Sequence, residues 1–289
     1  MKQDLNSVEE LLTKANNLAS RKRDFVADVR NTHMHYQGGG EFGLAIDGEA
    51  DYKITDNAMV QLGDWCRIPR AYVRHMMDNG QNKLLVDNFN QWFEKPEHVK
   101  SFRRLYRGMA GEYSESNSVW RSFHSDKFQR VDHEHVLEDL LPQLEELAEV
   151  FGGIKIISCA ITDNKMYLKV TFPGQEAKVV GDMVRMGLSI GNSEVGKSNV
   201  YILPLAYILR CLNGMVLPHM GIKRRHIGAA IEGDGQVTYA EDTLEANLKA
   251  IKLQLRDSMN DVVKSFKDGS FIEELQKSGD SSRVKEPAK

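Results

Sequence analysis

The sequence predicts an α+β fold in which an antiparallel β-sheet packs against helices. Three strand-like segments, Ile154–Ile161, Lys165–Phe172 and Lys178–Ile190, follow one another with short connections. Such connections imply antiparallel pairing, because a parallel pair needs a long crossover. Helical patterns dominate residues 1–95, and a long amphipathic helix is predicted at Tyr239–Phe266.

The length of 289 residues suits one large domain or two smaller ones. We predict four regions, which are a helical N-terminal region (1–95), an α+β core (96–238), a C-terminal helical region (239–277) and a disordered tail (278–289). The formal net charge of -3 excludes a uniformly basic coat for nucleic acid. Any polyanion-binding surface must therefore come from local clusters of charge.

The first predicted element is an amphipathic helix over Leu5–Val29. Ser7 and Glu10 have the spacing of a capping box, in which each side chain bonds the backbone of the other. The glycines Gly38–Gly40 then form a flexible turn. A phosphate cradle is the alternative for this triplet, but no helix start follows it, which favours a plain loop.

Three short helices are predicted next, at Ala58–Cys66, Arg70–Asp78 and Lys83–Phe93. Asp56 suits the start of the first and Pro69 the start of the second, and Asn79-Gly80 ends the second. A helix-turn-helix that reads duplex DNA is one interpretation. Plain packing of three small helices is the interpretation that we favour.

A basic region with interleaved aromatic residues follows. His98–Arg130 contains seven Lys or Arg residues against three acidic ones. Ser101–Tyr106 is a predicted strand, and Val119–Arg130 is predicted to form a hairpin whose return strand is Lys127–Val131. Aromatic rings on such a sheet suit single-stranded nucleic acid, because rings stack on bases while cations follow phosphates. The alternative is that the rings belong to the core and the cations to a solvated face.

Asp132–Val150 is predicted to be an acidic amphipathic helix that ends at Gly152-Gly153. His133 and His135 do not indicate a metal site, because alternate residues on a helix point to different faces. We expect no metal at His33 and His35 either. The three cysteines lack close spacing, which predicts no disulfide framework and a reducing compartment.

The central stretch, Val179–Gly228, combines the features that most favour a binding site. An apolar run leads into the polar loop Gly191–Asn199, and a second apolar run, Val200–Leu212, contains Pro204. Asn213-Gly214 is predicted to turn the chain into a further strand. Lys223–His226 then concentrates positive charge.

Gly191–Ser198 matches the GxxxxGK[ST] pattern of nucleotide-binding loops, whose backbone N–H groups surround phosphates. A helix must follow such a loop, but Pro204 stands where this helix would run. The pattern also belongs to parallel α/β sheets, whereas the preceding strands indicate antiparallel pairing. An ATP-binding enzyme, with magnesium as the accompanying ion, is therefore an alternative, and the preferred hypothesis needs no cofactor.

Several segments resemble a family. Ser122–Leu144, the stretch from Val179 to Gly196, and CLNGMVLPHMGIKRRHIG resemble successive blocks of the phage- and plasmid-borne domain-of-unknown-function 932 proteins. The resemblance covers about Leu62–Gly228, and NSEVG and NG…RRH are its most specific parts. It implies a protein of a mobile element. By analogy of folds, it also suggests the single-strand annealing proteins of phage recombination.

The preferred hypothesis is a non-catalytic single-stranded DNA-binding or annealing protein that self-associates and acts in recombination or replication. We expect it in the cytoplasm of a bacterial host, with no membrane association. A protein that binds a host or phage partner is a further alternative. The predicted nucleic-acid contacts are Arg103, Arg104, Arg107, Trp120, Arg121, Phe123, Lys127, Phe128, Arg130, Asn192, Ser193, Gly196, Lys197, Tyr201, Lys223, Arg224, Arg225 and His226.

Overall fold

The computed structural model describes residues 3–4, 7–95, 103–112, 117–125, 127–210, 213–216, 220–224, 226 and 240–283. The chain divides into two compact units. Unit I comprises Met1–Ala15, Arg130–His226 and Leu244–Lys289, and unit II comprises Asn16–Gln129 and Ile227–Thr243. Each unit contains a β-sheet and helices, so the predicted α+β class is confirmed.

The described residues contain thirteen strands and seven α-helices. The strands are β1 (Gln3–Asp4), β2 (Lys22–Asp28), β3 (Thr32–Gly38), β4 (Glu41–Ile46), β5 (Ala50–Ile54), β6 (Arg103–Met109), β7 (Val119–Ser125), β8 (Lys155–Ile161), β9 (Met166–Val179), β10 (Asp182–Asn192), β11 (Val200–Ile208), β12 (Asn213–Val216) and β13 (Ile222–Arg224). The helices are α1 (Val8–Ser20), α2 (Asp56–Trp65), α3 (Arg70–Asp78), α4 (Asn82–Glu94), α5 (His133–Val150), α6 (Glu241–Lys267) and α7 (Ser270–Arg283).

The sheet of unit I has the strand order β1-β8-β9-β10-β11-β12, and β13 also pairs with β11. All of these pairs are antiparallel, as predicted for the three central strands. Alternate residues of the central strands, such as Leu168, Val170 and Leu188, are fully buried. Phe172 on β9 contacts Phe151 and Phe266, with ring centroids 5.1 and 6.4 Å apart, so α6 and the end of α5 cover this face.

Pro204 lies inside β11 rather than ending a strand. It is opposite Leu188 of β10. On the other side of β11, β13 pairs with Val200–Ile202 and β12 pairs with Leu205–Ile208. The proline therefore marks a change of partner along one continuous strand.

The sheet of unit II has the strand order β2-β6-β7-β5-β4-β3, in which β5 and β7 pair in parallel and the other neighbours are antiparallel. Helices α2, α3 and α4 contribute to the core on one face. Trp120 is at the centre of this core and is 0% exposed. Its ring centroid is 4.7 Å from that of Tyr52 and 5.8 Å from that of Tyr106, and its Nε1 donates to the Leu44 carbonyl at 2.7 Å.

Strand β3 is the last strand of this sheet, and α4 packs beside it. The side chain of Asn90 on α4 bonds both backbone groups of Met34. Its Oδ1 accepts from the Met34 N–H at 2.8 Å, and its Nδ2 donates to the Met34 carbonyl at 2.8 Å. A helix side chain thus supplies the hydrogen bonds that a neighbouring strand would supply at this residue.

The helical prediction for residues 1–95 is only partly right. Ser7 Oγ accepts the Glu10 N–H at 3.1 Å, which confirms the predicted cap at Ser7, although the helix begins at Val8 rather than Leu5. That helix ends at Ser20 rather than Val29, and β2–β5 occupy the following residues. Phe25 and Ala27 alternate into the core of unit II, and this burial favours a strand over a longer helix. The three helices that follow are confirmed, although Thr55, and not Asp56, caps the first.

The connection between the second and third predicted strands also differs from the structure. Pro173 and Gly174 lie within β9, and the turn to β10 is at Val180 and Gly181, which have φ values of 50° and 96°. The Gly174 N–H donates to the Phe151 carbonyl at 3.1 Å. A Cβ on Gly174 would collide with that oxygen, so the glycine is needed for this close approach rather than for a turn.

The C-terminal helix is confirmed as α6, and α7 follows it to Arg283, inside the range predicted as a disordered tail. Residues 284–289 of that range lie outside the described residues. No helix in the described part of the chain combines the length and the apolar character needed to cross a membrane.

Candidate nucleic-acid interface

The first basic region does not form one cationic surface. Arg107 is buried, and its guanidinium bonds the Asp24 carboxylate at 3.1 Å. Arg104 is half-buried, with its guanidinium 4.6 Å from the centre of the Trp65 ring. Arg103 is exposed and is opposite Asp28 in the register of β2 and β6. Of these three cations, Arg107 is held in a buried ion pair. Arg104 points to the face of the sheet opposite the other two.

The aromatic residues of this region are core residues, as the alternative interpretation held. Trp120, Phe123 and Phe128 are each at most 6% exposed. Phe128 stacks on His124 with ring centroids 3.8 Å apart. Base stacking by these rings is therefore wrong for the folded state, because no ring face is open to solvent.

The hairpin predicted for Val119–Arg130 is also wrong. The partners of β7 are β6 and β5, and Lys127–Val131 forms no return strand. A bulge places Arg107 opposite Ser122 and Gly108 opposite Trp120, so Arg121 is the extra residue on β7. The bulge resets the alternation and brings Trp120 and Phe123 to the same buried face. Arg121, Lys127 and Arg130 are half-buried.

The loop between β10 and β11 does not have the geometry of a nucleotide-binding loop. Gly191 and Asn192 belong to β10, and the next regular element after Ser198 is strand β11, which returns antiparallel to β10. The helix whose N-terminus would face phosphates is replaced by a strand at this point. The ATP alternative therefore lacks the strand-loop-helix arrangement on which it depended.

The same loop is fastened to the start of α5. The Glu194 carboxylate accepts the His133 N–H at 2.8 Å, and Asn192 Nδ2 donates to the Val131 carbonyl at 2.8 Å. Ser193 Oγ donates to the Asn164 carbonyl at 2.6 Å and accepts the Lys197 N–H at 2.9 Å. The side chains of Asn192, Ser193 and Glu194 are buried, so their role is to hold the loop, and they offer no surface for contact.

A row of five residues crosses the sheet of unit I next to this loop. Ala160, Tyr167, Gly191, Tyr201 and Lys223 are successive cross-strand partners on β8, β9, β10, β11 and β13. Directly opposite residues share a face, so all five point to the same side of the sheet. We call these residues the tyrosine row. Tyr167 and Tyr201 are half-buried, and Lys223 is exposed.

Gly191 allows the Tyr201 ring to lie across the sheet. A Cβ on Gly191 would lie within 2.5 Å of the Tyr201 Cε1 and hydroxyl oxygen, so the ring covers the glycine. The Tyr201 hydroxyl also bonds Ser189 on the same face. Burial raises the pKa of Tyr201, and the bond to Ser189 opposes that rise. The ring is thus fixed over β10 while part of it stays exposed.

Cations lie beside the tyrosine row. Lys169 is the cross-strand partner of Ser189 and is half-buried, and Lys197 is exposed on the adjoining loop, where Gly196 has a φ of 73°. Arg224 lies in β13, and its side chain is outside the described residues, as is the whole of Arg225. His226 is 4% exposed and is therefore not available as a surface contact.

A second basic surface of unit I was not predicted. Lys249, Lys252 and Arg256 on α6 line a groove of about 250 Å³ beside Asp139 and Gln143 of α5. Lys252 is 3.2 Å from Asp139, so part of the charge in this groove is neutralised. Among the described residues, no aromatic ring lines the groove, which distinguishes it from the tyrosine row.

Sequence analysis found Tyr201, Lys197 and Lys223 but missed Tyr167, Lys169 and the packing role of Gly191. The signal for two of these was present. In Met166–Phe172, apolar residues alternate with Tyr167, Lys169 and Thr171, which places the latter three on one face of a strand. The role of Gly191 depends on the register with Tyr201, which no local pattern reveals.

The described residues contain one cluster of three potential metal ligands within 4.8 Å of one another, formed by Asp132, Glu134 and His135. The cluster surrounds the N-terminus of α5, where the Asp132 carboxylate and His135 Nδ1 form a capping box. The helix dipole is positive at this end and opposes a cation. This cluster is therefore best explained as a helix cap.

Comparisons with known proteins add no relative. Neither the protein-family models, nor the curated proteins, nor the solved structures contain a match to the chain. The resemblance to the domain-of-unknown-function 932 proteins consequently stays a prediction from the quoted motifs.

Proposed function

We propose that the protein binds single-stranded nucleic acid, DNA in the first instance, through the tyrosine row of unit I. The observation that carries this proposal is the Tyr201 ring, which lies over Gly191 with Lys223 as its neighbour on β13. An aromatic ring on a sheet beside cations is the arrangement by which sheet proteins hold unpaired bases and their phosphates.

The spacing of the row suits a single strand better than a duplex. Tyr167 and Tyr201 are on strands separated by β10, which places them about 10 Å apart. This distance separates their backbones, and the Tyr201 ring lies over Gly191 between them, so the two tyrosines can present one surface for stacking. A duplex has no exposed base faces to offer such rings, whereas every base of a single strand has one.

Lys169, Lys197 and Lys223 supply charge next to the rings. Cations that neutralise phosphates release bound counterions, so affinity falls as salt increases. Three lysines give a modest decrease of affinity with increasing salt. One of them, Lys197, is on the exposed part of the β10–β11 loop, which adjoins the row. The loop keeps its position because Glu194 and Asn192 anchor it to the start of α5.

By this proposal the protein acts without catalysis, as an annealing or protective factor in recombination or replication, and self-association would extend the row from one copy to the next. The resemblance to proteins of mobile elements supports this setting. The proposal about binding does not depend on that setting, and it is tested first.

The test is fluorescence anisotropy of a labelled oligothymidylate titrated with the full chain at several salt concentrations, with and without ATP and magnesium. Tyr201→Leu should weaken binding about tenfold, because one stacked base is lost. Tyr201→Phe keeps the ring and should bind within about twofold of the unmodified protein. Lys223→Gln should reduce the salt slope by about one.

Lys178 provides the matched control. It is exposed on β9 like Lys223 on β13, but it pairs with Met183 near the turn to β10, away from the row. Lys178→Gln should leave both affinity and slope unchanged. If Lys249→Gln and Arg256→Gln weaken binding while Lys223→Gln does not, the groove between α5 and α6 is the interface instead. Absence of binding in every condition contradicts the proposal and leaves the host-protein alternative to be tested by partner capture.

A further inference from the structure

His33 and His35 lie on a strand and not on a helix, so the separation of alternate residues onto different faces does not apply to them. These histidines lie on β3, where alternate residues share a face, so both imidazoles belong to the side of the sheet opposite the buried Met34. His33 is exposed and His35 is half-buried. The pair therefore has the arrangement that lets two histidines of one strand bind one ion.

The neighbouring strands complete a shallow bowl around the histidines. His33, Ala45 and Asp51 are successive partners across β3, β4 and β5. His35, Gly43 and Lys53 form the next row on the same face. The middle strand, β4, contributes only a glycine and an alanine on this face. The larger side chains of β3 and β5 can therefore reach towards each other across it.

The position of the His35 ring brings two potential ligands together. A Cβ on Gly43 would collide with His35 Nε2, which shows that the imidazole lies over the glycine and towards β5. Nε2 is 3.6 Å from the Asp51 carboxylate. Two ligand atoms bound tetrahedrally to zinc at about 2.1 Å are about 3.4 Å apart. The observed separation is thus close to that of two ligands of one ion.

The charges around the bowl leave Asp51 available. Lys53 is next to Asp51 on the face but bonds Glu41 at 2.8 Å, which directs the ammonium group to another carboxylate. The Gln37 amide is 3.2 Å from His35 Nε2 and would turn aside, or present its oxygen, when an ion enters. His33 joins the set by rotation of an exposed side chain about χ1.

We propose that His33, His35 and Asp51 bind a divalent transition-metal ion of the zinc class. Imidazole nitrogens with one carboxylate are a ligand set that such ions favour. Three protein ligands leave one coordination position for water or for an anionic ligand from solution. The ion would join β3 and β5 of unit II across β4, and the site is independent of the proposed nucleic-acid interface in unit I.

The experiment titrates Co²⁺ into the full chain, freed of any purification tag, and records the visible absorption of four-coordinate cobalt. One Co²⁺ per chain is expected, with displacement by Zn²⁺. His33→Ala and Asp51→Asn should each lower the affinity by on the order of 100-fold, since each removes a direct ligand. Both residues are exposed, so circular dichroism should show an unchanged fold.

Two control variants make the result decisive. His75→Ala removes an exposed histidine on α3 and should bind Co²⁺ like the unmodified protein. His135→Ala breaks the cluster at the start of α5 and should also leave binding unchanged. The proposal is overturned if no Co²⁺ binds, if either His33→Ala or Asp51→Asn retains full affinity, or if His135→Ala abolishes binding.

Discussion

Two regions of this protein combine aromatic residues with cations on β-strands, and they differ in how completely other side chains cover the ring. On β7, Trp120 is packed against Tyr52, Tyr106 and the carbonyl of Leu44, and it has no exposed surface. On β11, Tyr201 is opposite Gly191 and lies over it, with part of the ring exposed. Each ring is opposite a glycine, Gly108 for Trp120 and Gly191 for Tyr201, so the glycine does not decide the role of the ring. A ring enclosed by large neighbours joins a core, whereas a half-buried ring remains at a surface.

The cations differ in the same way. Arg107 forms a buried ion pair with Asp24, and its side chain is only 3% exposed. Lys223, beside Tyr201, is exposed. The two regions contain similar residue types, so composition alone does not distinguish a core from a binding surface. The burial of the ring and of the cation does, and four measurements can break or sharpen this comparison.

The largest effect is expected for Arg107→Ala. The change leaves the Asp24 carboxylate buried without its guanidinium partner, which should lower the free energy of unfolding by about 3–5 kcal/mol. Denaturant titration followed by circular dichroism measures this loss. Arg103→Ala, on the same strand but exposed, should change stability by less than about 0.5 kcal/mol.

A double replacement sharpens the same point. Asp24→Leu combined with Arg107→Leu removes both charges and should recover much of the stability lost by Arg107→Ala. If Arg107→Ala is instead as stable as the unmodified protein and binds single-stranded DNA less tightly, the first basic region is a binding surface and the comparison fails.

Gly191→Ala should have an intermediate effect. The new methyl group occupies the space of the Tyr201 ring, which must shift, at a cost of about 1–3 kcal/mol. Oligothymidylate affinity should fall with it. In a Tyr201→Ala background the same change should cost almost nothing, because the ring is gone. Equal costs in the two backgrounds would show that the ring does not cover Gly191.

Buried titratable groups should also make the free energy of unfolding depend on pH. Burial raises the pKa of Cys66 to about 12, and the nearby Arg104 partly opposes this. Burial also raises the pKa of Tyr106. The unfolded chain loses the thiol proton from about pH 9, while the folded chain keeps it until about pH 12. Stability should therefore be complete below pH 9 and decline above it.

The decline due to one such group is at most about 1.4 kcal/mol per pH unit. Thermal unfolding between pH 8 and pH 11 would measure it. Cys66→Ala should flatten the profile over this range. An identical profile for Cys66→Ala and the unmodified protein would show that the thiol is not buried as described.

The smallest effect, a gain, is expected for Val180→Asn. Val180 has a φ of 50°, which a β-branched residue tolerates poorly and an asparagine tolerates well. The replacement should raise the free energy of unfolding of unit I by about 1 kcal/mol. It is at the far end of the hairpin that contains Gly191, so DNA affinity should not change. A loss of stability would show that the turn has another geometry.

Much of the fold follows from local patterns. The helix at Arg70–Asp78 begins after Pro69 as the sequence predicts, and α5 begins after Asp132 and ends before Gly152-Gly153. The antiparallel order of β8, β9 and β10 also follows from short connections. These features depend on residues within a few positions of one another, which a sequence displays directly.

What sequence analysis missed depends on distant partners. The bulge at Arg121 brings Trp120 and Phe123 to one face of β7, and only pairing with β6 creates it. The sequence predicts helix and loop where β2–β5 lie. These strands are stabilised by burial in the core of unit II, which local patterns do not show. In the candidate site, Tyr201 and Lys223 were predicted. The position of Gly191 under the Tyr201 ring was not, because it depends on the register of β10 and β11. Register is a property of the assembled sheet.

The bonds between Asn90 and Met34 have a consequence for the behaviour of the protein at high concentration. An exposed last strand offers a regular series of donors and acceptors on which a strand from another molecule can add. The Asn90 amide occupies both groups of Met34 in the middle of β3 and interrupts that series. The outer side of β3 is thereby a poor template for aggregation, and its protection at Met34 comes from a single amide of α4.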